Sequence, residues 1–238
     1  YTLTRVLGER SLSLSSLDAA NRAEACDVVV AQIPAAVEAG AQALCVISGP
    51  RPAEPSARSD ALAALEDSLA RVCAAARTAA PELEILIEPL DHSAHKRNTL
   101  GSTAEAVAVC ERLAAQGLGL KLCLDTAHLI LNEESPVKAA MQARQYIAEF
   151  HFCNCCIDRR HALFGDRHLP FGAPGVVDEE QIAAWMAQLH QHGFFSASTR
   201  PRVYCEVWKP DEMESMAVVA HCEAALQNGW ELAMQMTS

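Results

Sequence analysis

Four ionisable side chains each interrupt or close a short apolar run. Glu88 follows Leu-Glu-Ile-Leu-Ile, Asp125 follows Leu-Lys-Leu-Cys-Leu, His151 follows Ile-Ala-Glu-Phe, and Glu206 follows Val-Tyr-Cys. A charge carried to the end of a buried run costs several kcal/mol unless something pairs with it. One divalent cation would satisfy all four at once, whereas four unrelated solvent-facing strand ends would each need a separate explanation. Three carboxylates and an imidazole suit Mn²⁺ best, with Co²⁺, Mg²⁺ or Zn²⁺ as alternatives, and leave coordination positions for two oxygens of a substrate. Cys153 and Cys156 form a single Cys-x-x-Cys without the second pair that a structural zinc site needs.

These residues need elements that bring them to one end of a sheet. Periodicity predicts a helix over 24–38 kinked at Pro34, a strand over 43–48 and a helix over 60–79. A strand follows over 83–90, then a helix over 104–116 capped by Thr103, and a strand over 120–126. A helix over 136–146, a strand over 147–153, a helix over 179–192 opened by Asp178, a strand over 202–208 and a helix over 211–233 complete the series. A further short strand is read at 11–15, and 154–177 reads as one long irregular segment of the kind that often carries function. Strand–helix alternation argues for a parallel sheet covered by helices, in which catalytic groups gather at the carboxyl ends of the strands. The fold class is therefore α/β, a TIM (β/α)8-type barrel, read as a single domain over 1–238. Five clear strands fall short of eight, so either about 50 residues precede Tyr1 or the early strands are unusual. An unclosed sheet leaves edges that a second copy or a partner subunit could cover.

The bulk properties narrow the partners. A formal net charge of −11 opposes binding to phosphate backbones and leaves small neutral substrates free to enter. No run of roughly 20 apolar residues suggests a membrane span and no signal peptide is visible, so a cytoplasmic protein with reduced thiols is expected.

The blocks Leu-Ile-Glu88-Pro, Leu-Asp125-Thr-Ala-His128, Phe-His151-Phe and Tyr-Cys-Glu206-Val resemble the xylose isomerase-like family of sugar phosphate isomerases and epimerases, from about residue 11 to the C-terminus. The resemblance implies that Glu88, Asp125, His151 and Glu206 hold the metal and that His128 contacts substrate. It implies that Glu88 and Glu206 exchange protons with opposite faces of a ketose or related polyol through an enediolate. It also implies that the first two β/α units lie outside this sequence. His168 is read as a substrate or loop-ordering contact and Trp208 as an apolar wall beneath a sugar ring. Asp166 is read as a loop acid or a second-metal ligand. A metal-dependent lyase or dehydratase, or a subunit that cleaves C-glycosides with a second chain, would use the same ligands. Endonuclease IV also resembles this series through Asp125, His128, His151, Asp166, His168 and Glu206. Against that zinc phosphodiesterase stand Ser48, where a zinc-binding histidine would be expected, and the negative charge.

Overall fold

The computed structural model describes residues 1–196, 201–211 and 213–237. The chain divides into two compact units, Tyr1–Cys123 and Leu124–Ser238.

The first unit contains α1 (Thr4–Glu9), α2 (Ala19–Ala31), α3 (Ile33–Glu38), β1 (Ala43–Ile47), α4 (Arg58–Ala79), β2 (Glu84–Glu88) and α5 (Thr103–Ala115). β3 (Lys121–Asp125) begins in it and carries the chain into the second unit. β1 pairs with β2 in parallel, Ile47 abreast of Glu88, and β2 pairs with β3, Ile87 abreast of Leu122. Strand side chains alternate between faces, so Leu44, Val46, Ile85, Ile87 and Leu122 share one face, each no more than 2% exposed. Leu65, Leu69 and Val72 of α4 are wholly buried, the i, i+4, i+7 stripe of an amphipathic helix. α5 opens on a capping box: the Ser102 hydroxyl accepts from the Glu105 N–H, and the Glu105 carboxylate accepts from the Ser102 N–H.

The second unit contains α6 (Thr126–Leu131), α7 (Pro136–Gln142), β4 (Ile147–Phe152), β5 (Asn154–Cys156), β6 (Gly165–Leu169), α8 (Glu179–Gln191), β7 (Arg202–Cys205) and α9 (Ser215–Thr237). β4 and β7 pair in parallel, whereas β5 and β6 form an antiparallel pair. Phe150 and Phe152 meet edge-on at 5.3 Å, Phe150 meets Phe194 at 6.1 Å, and Phe152 stacks on Trp185 at 6.4 Å. α8 and α9 come close because Gly229 has no side chain; a Cβ there would stand 2.8 Å from Ile182 Cγ2.

Several sequence expectations change. The helix expected over 24–38 is two helices: the chain turns at Gln32 and Pro34 falls in the first turn of α3, where its missing N–H costs nothing. No strand forms at 11–15; the Ser13 N–H donates to the Asn21 side chain and the Ser15 N–H to the Ser48 carbonyl. Ser102 rather than Thr103 caps α5. The segment 154–177 is not structureless, since it holds β5 and β6. The last strand stops at Cys205, short of Trp208, and α9 starts at Ser215 rather than 211. Glu212, within the expected helix, lies outside the described residues.

Candidate metal centre

Asp125 ends β3 and caps α6, so one residue closes a strand and opens a helix. Its Oδ1 accepts from the N–H groups of Ala127 (2.7 Å) and His128 (3.2 Å). Its Oδ2 has no hydrogen-bond partner among the described residues, and the side chain is buried at 1% exposure. Burial pushes the Asp125 carboxyl above the usual carboxylate range; His128 and His151 oppose this, while Asp166 and Glu206 add to it.

Glu206 follows β7, and its N–H donates to the Phe152 carbonyl, which continues the β4–β7 pairing by one residue. Its carboxylate is held between two imidazoles, Oε2 at 2.9 Å from His151 Nδ1 and Oε1 at 2.8 Å from His168 Nε2. Burial works against the charge, but these two hydrogen bonds outweigh it and hold Glu206 far below the usual carboxylate range. Asp125, His151 and Glu206 each bring a ligand atom within 4.8 Å of the others. Glu88 ends β2 in the first unit, half-buried.

His168 sits on β6 at a φ of +50°, unusual for a residue with a side chain. Its Nδ1 lies 2.7 Å from Asp166 Oδ1, so one ring joins two carboxylates. Burial lowers its pKa, but Asp166 and Glu206 raise it more, to about 10. Asp166 is 2% exposed and also faces His128 Nε2 at 3.8 Å. Asp166 thus faces two histidines. His128 is itself buried, at 2% exposure. Trp208 is 71% exposed; its N–H donates to the His168 carbonyl, and its ring stands edge-on to His168 at 6.1 Å.

Asn154 was not singled out from the sequence. Its Nδ2 donates to the carbonyls of Pro170 (2.7 Å) and Gly172 (2.9 Å), and its Oδ1 accepts from the Val177 N–H at 2.8 Å. One buried amide thus ties down the loop after β6. Nothing in the sequence next to Asn154 signals this, because the Gly/Pro-rich stretch it holds begins more than ten residues later.

The donor set fits a divalent cation. Asp125 Oδ2 is a buried carboxylate oxygen that needs a positive partner, and an imidazole and a second carboxylate converge beside it. The ten cysteines form no disulfide among the described residues. None of the described helices is long and apolar enough to cross a membrane.

With fold and site in place, the comparisons with known proteins agree on one class. The chain belongs to the xylose isomerase-like TIM barrel family, whose model matches residues 2–225. A solved L-ribulose 3-epimerase superposes with a TM-score of 0.72 at 20% identity, over 94% of this chain and 73% of that one. A 3-keto-D-glucoside 4-epimerase from E. coli gives 0.67 at 15% identity, over 91% and 75%. The IOLI protein with a bound zinc atom gives 0.65 at 13% identity, over 95% and 74%. Likeness at these identities carries the fold and not the reaction. No curated protein matches the chain.

Proposed function

We propose that this chain is a divalent-metal-dependent isomerase or epimerase acting on a ketose or related polyol. The observation that carries the reading is the buried Oδ2 of Asp125, which has no hydrogen-bond partner among the described residues, beside His151 and Glu206. Asp125, His151 and Glu206 would hold the ion, and the family resemblance adds Glu88 as the fourth ligand. The ion would act as a Lewis acid, drawing charge from the substrate carbonyl and acidifying the neighbouring C–H. Glu88 and Glu206 then serve as the proton-exchanging pair, one carboxylate taking the proton from carbon and the other group returning one on the opposite face. Return to the same carbon gives an epimer; return to the adjacent carbon gives the aldose. His168, bonded through both ring nitrogens to Asp166 and Glu206, orients the Glu206 carboxylate at the edge of the site. Trp208, exposed beside it, offers an apolar wall to a sugar ring. His128 helps to set the Asp166 carboxylate. Loss of a β-hydroxyl instead of proton return would make the same site a dehydratase.

The supporting experiment is metal analysis. Protein stripped and reloaded with Mn²⁺, Co²⁺, Mg²⁺ or Zn²⁺ should bind about one oxygen- and nitrogen-ligated ion per chain, and Glu206→Gln should weaken that binding by about 100-fold. Undiminished binding in the variant would remove Glu206 from the site. Cleavage of abasic-site DNA by the zinc form would instead favour the phosphodiesterase.

A further inference from the structure

The first unit carries a second group of metal-ligand types on the face of its strands opposite the apolar core. Register partners on parallel strands point to the same side, and every second residue returns to it. Cys45 is abreast of Leu86 and Ile47 of Glu88, while Leu86 is abreast of Lys121 and Ile87 of Leu122. Cys45, Glu88 and Cys123 therefore share one face, with Cys123 next to Glu88 across the β2–β3 pairing. One sulfur from each cysteine and one carboxylate oxygen lie within 4.8 Å of one another. The backbone under Cys45 is fixed on its outer side, its N–H donating to the Tyr1 carbonyl and its carbonyl accepting from the Leu3 N–H. Cys123 is wholly buried, while Cys45 and Glu88 are half-buried.

A cysteine in a strand ordinarily fills space as a small apolar side chain. Two of them converging on a carboxylate is a different arrangement. Tetrahedral zinc–thiolate geometry, with bonds of about 2.3 Å, sets ligand atoms about 3.8 Å apart, so these three need close in by only about 1 Å. We propose that Cys45, Glu88 and Cys123 form a binding site for a soft divalent ion such as Zn²⁺ or Cd²⁺, chemically distinct from the Asp125–His151–Glu206 group. As the ion binds, each thiol gives its proton to water and forms a metal–sulfur bond, the carboxylate supplies an oxygen, and water completes the shell. Glu88 is shared with the role given to it above, so an ion held here competes with that role.

Cobalt distinguishes the two sites, because thiolate ligation produces a strong near-ultraviolet charge-transfer absorption that oxygen and nitrogen ligation does not. The Co²⁺-loaded chain should show this band. It should vanish in the Cys45→Ser/Cys123→Ser double variant and persist in Glu206→Gln and in Cys110→Ser, which replaces a thiol of α5. Should the double variant not fold, Cys45→Ser alone, at the more exposed position, should lose at least about half of the band. No band in the wild type, or a band unchanged by Cys45→Ser, overturns the proposal. Neither result bears on the isomerase reading, which is tested by metal binding in Glu206→Gln and by proton exchange on ketoses.

Discussion

Asp125 has one carboxylate oxygen fixed by two backbone N–H groups and one that meets no donor among the described residues. That division of labour makes a signed prediction. In Asp125→Asn the amide oxygen can still cap α6, and a buried charge is gone. Without metal, the variant should melt at the same temperature as the wild type or higher. With metal, the order should reverse, because only the wild type gains binding free energy. A metal-free variant that melts well below the wild type would show that the charge is needed by the protein itself. Asp125, His151 and Glu206 were legible in the sequence because each breaks into an apolar run. The link from Glu206 through His168 to Asp166 was not legible, because it depends on the β5–β6 pairing and on the positive φ of His168.

Elements set these side chains by their caps and loops. The Arg58–Glu105 pair joins the start of α4 to the first turn of α5 at 2.7 Å, with the two side chains 28% and 30% exposed. Burial raises the Glu105 carboxyl, but the hydrogen bond and charge of Arg58 prevail and leave it below its ordinary value of 4.5. The folded state therefore binds fewer protons here than the unfolded state, and stability rises with pH. The contribution is full above the ordinary value and is lost as the pH falls through the lowered one. Glu105→Gln should destabilise by about 1 kcal/mol or less at neutral pH, and the gap should close in acid. Urea titrations at several pH values would read this, and a gap that is constant with pH would deny the pair its role. Gly175 makes a second case. A Cβ there would stand 2.1 Å from Asn154 Oδ1, so Gly175→Ala should cost about 1–3 kcal/mol and loosen the loop after β6. An unchanged urea midpoint would mean that Asn154 can move aside. The long strands were readable as apolar runs. The β5–β6 pair was missed because β5 is short and β6 mixes Asp166, Arg167 and His168 into its pattern, and α6 because its apolar residues continue those of β3.

At the scale of the whole chain, the fold class followed from strand–helix alternation and the family from the resemblance of four strand-end blocks, and the family match over 2–225 bears both out. The reaction did not follow, because epimerisation, isomerisation and elimination share the same ligands and differ in where the proton or hydroxyl goes. The net charge of −11 favours the capture of cations over polyanions. It predicts that the chain will not retain duplex DNA at physiological salt, which a gel-shift assay would test. The central claim is proton exchange at the carbon beside a carbonyl, and solvent deuterium reads it most directly. Metal-loaded protein incubated with ketohexoses in D₂O should place deuterium on that carbon, and stripped protein or Glu206→Gln should not. A loaded protein that leaves every ketose and polyol-derived ketone tested free of deuterium would contradict the account.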